Sequence, residues 1–309
     1  MAAKVSVLVP VDVDSKVLKS STAVETYADY VAGKVYKKGD RCVSPTKNRI
    51  FESLQDNNSG HDPAITDNLT GNTPWWMDYA PTNRMAMFDT DVSTATVAPS
   101  PLTVVLQPGF FRDLYLNLDA DEVDLVVRDS PGGSVIRATH EVLEGSQPGD
   151  YDEYFFGRFE PRYDFIAQDI EPYNAAEITL TLTSASGTVS CAVMDVGDLI
   201  ALGDTLVGAK VTPKTYSYVD QDKFGGAKIV RRGAANDLAI TGILDRSESP
   251  MVHRTLMKVL DTPVLVTAST GVDYSPLRNF GLVSGGIEYP NIPDKCNLNI
   301  NVQGLIRWQ

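Results

Sequence analysis

Short runs in which apolar side chains alternate with polar ones or threonine dominate the middle of the chain. They are LTVVL (102–106), LYLNL (114–118), VDLVV (123–127), VIRAT (135–139) and ITLTL (178–182), followed by the more continuously apolar TVSCAVM (188–194). A period of two gives each strand one core face and one outer face. Two sheets must then meet face to face, and the pattern predicts an antiparallel β-sandwich or jelly roll of roughly 100 residues. The turn sequences QPG, DSPGG and SASG separate the runs, and with 23 Gly and 18 Pro in the chain most apolar runs are too short for helices. Seven rings between Tyr151 and Phe165 are expected to close the sandwich edge.

The flanking blocks read differently. The first mixes a short helix expected near STAVETYADYVAG (21–33) with strand-like KVYKKGDRCVS (34–44) and RIFESLQ (49–55); a polar loop (56–74) then delays the chain until Trp75 and Trp76. TDVSTATVAPSP (90–101) reads as a linker or entry strand, and VGDLIALGDTLVGAK (196–210) as a glycine-rich connector. Beyond Thr212 one helix is predicted, with Ser249 as N-cap, Pro250 at the first helical position, Val252, Leu256, Val259 and Leu260 on its apolar face, and Pro263 as the stop. Strands are expected around it, the last alternating Leu298, Ile300 and Val302 with Asn297, Asn299, Asn301 and Gln303. The fold class is therefore mainly β: a small N-terminal β module (1–90), a central antiparallel, jelly-roll-like β-sandwich (91–205), and a C-terminal α+β domain (206–309) with one helix on a sheet.

Composition narrows the function. At 309 residues the chain exceeds the ~250–300 at which one core stops growing, so several units are expected. A net charge of −13 argues against a protein that coats nucleic acid, since such affinity comes from Lys and Arg neutralising phosphates. Basic neighbours occur at Lys37/Lys38 and Arg231/Arg232, where a solvated edge is the simpler reading. No apolar run reaches the ~18 residues that would suggest a membrane span, and the N-terminal VSVLVP is shorter than a secretory h-region. Cys42, Cys191 and Cys296 stand far apart, an odd number without ligand spacing, which argues against a disulfide framework or a zinc site.

Catalytic signatures are equally sparse. The three histidines, His61, His140 and His253, leave little room for a nucleophile–base device, and no P-loop, dinucleotide fingerprint, nucleophile elbow or zincin motif occurs. The acidic DADEVD (Asp119, Asp121, Glu122, Asp124) lacks the glycine turn and later bidentate Glu of a calcium loop and reads as a solvated turn. Asp150, Asp152, Glu153 and Glu160 offer only the carboxylate pairs that any acidic β-protein contains. The expectation is a non-enzyme with no catalytic residue, metal or cofactor.

Two resemblances add to this. Tyr36, Gly39, Asp40, Val43, Phe51, Pro63 and Trp75 match the Tyr-x-x-Gly-Asp-x-Val strand, aromatic second strand and Pro…Trp ending of small chitin- and cellulose-type carbohydrate-binding modules. That resemblance implies a three-stranded unit with Tyr36, Phe51 and Trp75 stacked as a miniature core. The continuation APTNRMAMFD, then YFFGRFEPR, GDTLVG, YSYVDQDKFG…VRR and the terminal Leu-x-Ile-x-Val-x-Gly strand resemble virion proteins of tailed bacteriophages. This second resemblance implies a structural component of the neck, collar or tail, assembled in the host cytoplasm as a homo-oligomeric ring or decoration. Its partners would be copies of itself and other virion proteins, without nucleic acid or membrane insertion. The alternative is an adhesin whose N-terminal module binds a host surface glycan. The candidate junction or glycan residues are Tyr36, Phe51, Trp75, Trp76, Asn83, Arg84, Met87 and Phe88. A module this small cannot bury two indoles, Met85, Met87 and Phe88 by itself, so the stretch is expected to lock it onto the sandwich or a neighbour.

Overall fold

The alternating runs are strands, and their alternation decides what faces what. The computed structural model describes residues 3–90, 93–143, 162–221, 226–230, 233–269, 276–290 and 294–305. Numbered in chain order, β2 (Leu18–Ser21), β7 (Leu102–Leu106), β9 (Glu122–Arg128), β10 (Val135–Val142) and β12 (Glu177–Thr183) form an antiparallel sheet in the order β10-β9-β12-β7-β2. Opposite it lie β6 (Thr96–Pro99), β8 (Asp113–Asp119), β11 (Asp164–Ala167) and the first half of β13 (Thr188–Thr205). Leu102, Val104 and Leu106 meet Leu114, Leu116 and Leu118, with Val123, Leu125, Val127, Ile178, Leu180 and Leu182 completing the layer, none more than 3% exposed. Each supplies every second residue of its strand, the packing of a sandwich core. The Tyr151–Phe165 rings fall mostly outside the described residues; of the remainder, Phe165 is in this core and Tyr163 is largely exposed.

The connector expected at 196–210 is instead strand to residue 205. Beyond Gly197, β13 runs on and pairs with β1 (Lys4–Pro10). Glycine is needed there for contact, not flexibility: a Cβ at Gly197 would lie 2.0 Å from the Val9 carbonyl oxygen. β1 pairs with β18 (Pro263–Thr267), β18 with β19 (Arg278–Glu288), β19 with β20 (Lys295–Gly304), and β20 with β17 (Ala234–Asp245). β17 returns to β13 through Asp204↔Ile243 and Thr205↔Gly242. Six antiparallel strands thus close into a small barrel, filled by residues that include Val5, Val7, Leu202, Leu238, Ile240, Val264, Val266, Leu298, Ile300 and Val302.

Two helices occur among the described residues, α1 (Asp67–Thr70) and α2 (Ser249–Lys258). Val252 and, just past the end of α2, Val259 join the barrel core, whereas Leu260, expected on the buried face, is 50% exposed. Pro250 sits in the first turn, but Ser249 is not the N-cap: that position is Glu248, and the Ser249 hydroxyl donates to the Arg246 carbonyl at 2.9 Å. The helix expected at 21–33 does not form. Tyr30 N–H donates to the Val43 carbonyl and Val43 N–H to that of Ala28, so this β-branched, aromatic stretch is held extended beside β3 (Arg41–Ser44).

A third core joins sandwich to barrel. Tyr115, Ile166 and Val193, on the outer face of the sandwich strands, pack with Leu8, Leu265 and Phe280 on the outer face of the barrel. Tyr115 stacks on Phe280 at 5.8 Å between centroids, and the largely buried Arg278–Asp164 pair, 3.9 Å apart, bridges β19 and β11. The blocks read as 1–90, 91–205 and 206–309 consequently share strands: β1 belongs to the barrel, β2 to the sandwich, and β13 to both. From the barrel, β14 (Lys210–Thr215), paired with β17, leads into a two-stranded ribbon of β15 (Tyr218–Gln221) and β16 (Ala227–Val230).

Candidate functional site

The N-terminal module is the three-stranded sheet β3, β4 (Arg49–Ser53) and β5 (Trp76–Pro81). The chain reverses between β3 and β4 through PTKN, where Asn48 takes the left-handed conformation (φ 51°) that asparagine tolerates. Its core is Tyr36, Cys42, Phe51 and Trp76, each 1% exposed. The Tyr36 and Trp76 rings meet edge-to-face at 5.0 Å, and Tyr30 stacks on Tyr36 at 5.7 Å. The Trp76 indole N–H donates to the His61 carbonyl at 2.6 Å, and the Val31 N–H donates to the Tyr36 hydroxyl at 2.9 Å. Burial pushes the Cys42 thiol up to about 12. Next to this core the side-chain amide of Asn58, fully buried, donates to the Ser53 hydroxyl and the Trp75 carbonyl, while its amide oxygen Oδ1 has no hydrogen-bond partner among the described residues.

The central indole is Trp76, not Trp75. Trp75 precedes the strand, is half-buried, and lies parallel to the His61 ring at 3.8 Å. Alternation along β5 then turns Met77 and Tyr79 outward, 44% and 46% exposed. On that outer face the Arg41 guanidinium lies 3.5 Å above the Tyr79 ring, donates to the Tyr27 hydroxyl at 3.0 Å and pairs with Glu52 at 2.8 Å. The Tyr27 bond and then the Glu52 bond hold its pKa above the ordinary arginine value. Tyr36, Phe51 and Trp76 therefore offer no ring face to a ligand, while Tyr79, absent from the sequence candidates, does. The period-two reading of β5 was the signal that separates Tyr79 from Trp76.

Asn83, Arg84, Met87 and Phe88 lie where the module meets the sandwich. Asn83 Nδ2 donates to the carbonyls of Val24 and Val97, both at 2.8 Å, and Val97 N–H donates to Asn83 Oδ1 at 2.9 Å. The side-chain amide thus engages both the N–H and the C=O of Val97, as a neighbouring strand would. Thr96 donates its hydroxyl to the Asn83 carbonyl at 2.7 Å and accepts from Met87 N–H at 3.1 Å. Glu25 accepts from the N–H groups of Asn83 and Arg84, and Arg84 Nε donates to the Ala23 carbonyl at 3.0 Å. Met87 is fully buried in the sandwich core and Phe88 packs against it. Arg49 pairs with Asp78 inside the module at 2.8 Å and reaches from it to this turn through Asp89 at 3.2 Å. A polar cleft of about 280 Å³ opens beside the junction, lined by Ser20, Ser21, Glu25, Asp29, Asn48 and Arg84 among others. Glu25 and Thr96 carry this junction yet belong to no sequence motif; only the fold brings them to Asn83.

The remaining candidates are dispersed. Asp121 accepts from Ser184 Oγ at 3.0 Å and Ala185 N–H at 2.6 Å, fastening the β8–β9 turn to the β12–β13 turn. Asp124 pairs with His140 at 2.8 Å across β9 and β10, and its bond and charge raise the imidazole pKa. Asp150, Asp152, Glu153 and Glu160 lie outside the described residues. Among the described residues no group of three or more His, Cys, Asp or Glu side chains is placed to hold a metal ion, and no helix is long and apolar enough to cross a membrane. All three cysteines are free and buried. Neither a protein-family model nor a curated protein matches the chain.

Proposed function

We propose that this chain is a non-enzymatic structural component of a tailed-phage particle, in the neck, collar or tail, where it assembles as a homo-oligomeric ring or decorates one. The sequence resemblance supports the particle. The structural role rests on one observation: β13 runs through both sandwich and barrel, and a buried third core clamps the two together. Backbone hydrogen bonds and packed side chains hold these units at a fixed angle, as suits a subunit that repeats the same contacts around a ring. Its partners are copies of itself and neighbouring virion proteins. Sedimentation of the purified chain, together with reconstruction of the particle, tests this: a defined ring mass and ring density matching the fold are expected. A chain that stays monomeric at high concentration and is missing from particles refutes it.

The second reading is a glycan-binding adhesin. It is supported by the exposed Tyr79 ring beside Arg41 and Glu52, an arrangement able to stack on a pyranose and hydrogen-bond its hydroxyls. Against it stands the burial of Tyr36 and Phe51, two of the residues that carried the module resemblance, and of Trp76 beside them. Glycan-array binding abolished by Tyr79→Ala in a folded chain would put this reading first.

A further inference from the structure

The cleft beside the module–sandwich junction collects polar groups that the fold itself leaves unused. One wall is β2, the last strand of its sheet, where Lys19 and Ser20 are exposed at a bulge and no strand among the described residues pairs with the outer edge. The other wall is the β3–β4 turn together with the turn after β5. Backbone bonds fix these two turns against each other: Thr82 N–H donates to the Asn48 carbonyl at 3.2 Å, and Met85 N–H to the Thr82 carbonyl at 2.9 Å. Yet neither the Thr82 hydroxyl nor the Asn48 side-chain amide has a hydrogen-bond partner among the described residues. Thr82 is only 3% exposed, its hydroxyl still reaches solvent, and the cleft is the opening that it lines. A side chain buried to this degree needs a partner from the cleft to replace the water it has lost. The Ser20 hydroxyl and the Asp29 carboxylate, on the exposed rim, are likewise unpartnered among the described residues, and Arg84 commits only its Nε, to the Ala23 carbonyl and Glu25.

Charge, donor pattern and size select the ligand. The lining holds two cations, Lys19 and Arg84, and two carboxylates, Glu25 and Asp29. Arg84 and Glu25 stand 3.7 Å apart, and Glu25 already accepts from the N–H groups of Asn83 and Arg84. This balance favours neither an anion nor a cation. Asn48 offers both a donor and an acceptor, the Ser20 and Thr82 hydroxyls can do either, and Asp29 accepts. A sugar hydroxyl also donates and accepts at once, and Leu18, Pro45 and Met85 add apolar surface for the C–H face of a pyranose. The volume of about 280 Å³ is close to the ~300 Å³ at which small-ligand pockets begin, which suits one ring and not a chain of them. Since no aromatic side chain lines the cleft, affinity rests on hydrogen bonds and is expected to be roughly millimolar.

We infer that this cleft is a binding site for a neutral polyhydroxylated ligand, a single pyranose ring, held by Asn48, Thr82, Asp29 and Ser20. The inference requires neither the particle nor the ring of subunits, and the site does not include Tyr79, on which the adhesin reading rests. Saturation-transfer NMR of the full chain tests it with methyl α-D-glucoside, methyl β-D-galactoside, methyl α-D-mannoside and N-acetyl-D-glucosamine, each raised to about 20 mM, beside acetate and choline as charged probes. At least one of the four sugars is expected to bind, and more tightly than either charged probe. Thr82→Val removes the hydroxyl and keeps the shape; Asn48→Gly removes the amide and keeps the left-handed turn. Each should weaken sugar binding about three- to tenfold, the loss of one neutral hydrogen bond, at a temperature where thermal unfolding shows parent and variant both folded. Tyr79→Ala should leave binding unchanged. The inference is overturned if none of the sugars binds, if acetate or choline binds more tightly, or if both cleft variants bind as the parent does. Binding lost in a folded Tyr79→Ala chain moves the sugar to the outer face of the module, which overturns the cleft and favours the adhesin reading.

Discussion

Asp195 puts a carboxylate on the face of β13 that packs between sandwich and barrel, directly across from Tyr115, and its Oδ2 is closed off from solvent without a hydrogen-bond partner. Burial pushes its pKa up to about 7 from an ordinary 3.8. The folded chain therefore keeps this proton over a range in which the unfolded chain has released it. By linkage, the contribution of this group to stability is greatest below the unfolded value, falls as pH rises between the two values, and levels off above about 7. Roughly three pH units at ~1.36 kcal/mol each set an upper bound of about 4 kcal/mol, and relaxation around the charge brings the expected figure to about 2–4 kcal/mol. Asp195→Asn keeps the shape and removes the titration. Urea unfolding of parent and variant at about pH 4 and about pH 8 reads the difference directly, since the other carboxylates cancel between the two proteins. The variant should be more stable by about 2–4 kcal/mol at the higher pH and by under about 1 kcal/mol at the lower. An equal gain at both, or a loss at the higher pH, would refute the argument that an unpaired charge is held in this interface.

Three further outcomes follow from the module and its junction. Trp76→Ala should destabilise the module by about 3–5 kcal/mol, and Trp75→Ala by about 1 kcal/mol, because only Trp76 is fully enclosed; near-ultraviolet circular dichroism during unfolding checks the ranking, and equal losses would contradict it. Asn83→Ala removes three side-chain hydrogen bonds at about 0.5–1.5 kcal/mol each and should raise proteolysis between residues 82 and 97 while leaving the sandwich folded; a cleavage pattern identical to the parent's would show that the amide holds nothing together. Burial pushes the thiols of Cys42, to about 12, and Cys191 upward, so a thiol-specific chromogenic reagent should label neither at neutral pH until the chain is unfolded; rapid labelling of the native chain would contradict their burial.

The sandwich was legible because period-two alternation is a local property: each of β7, β8, β9 and β12 announces its core face within five to seven residues. Strand exchange is not local. VGDLIALGDT contains two glycines and reads as a connector; its identity as the second half of β13 depends on β1, almost two hundred residues earlier, approaching Gly197 so closely that no side chain fits. Barrel closure likewise rests on the short β13–β17 pairing, for which neither strand carries a sequence mark. At 21–33 the residues alone suggested a helix, but pairing to Val43 outweighs a weak propensity, as tertiary contacts often do.

The tryptophan pair shows why residue type alone misplaces a junction. Two indoles ahead of a methionine-rich turn suggest an aromatic clasp, yet aromatic area is what a three-stranded module lacks and must spend on itself. Trp76 goes to that use, and Trp75 covers His61 at its edge. What the meeting of two β units leaves unsolved is the set of backbone groups at their seam, each of which must find a partner if water is excluded. Asn83 answers that need with one donor and one acceptor aimed at Val97, Glu25 accepts from the N–H groups of Asn83 and Arg84, and Thr96 both donates and accepts. Met87 and Phe88 supply the apolar anchor beside this polar frame. The seam is therefore specified by hydrogen-bond geometry and strengthened by packing. Its determinants are polar residues from three separate stretches of sequence, which no single motif could have revealed.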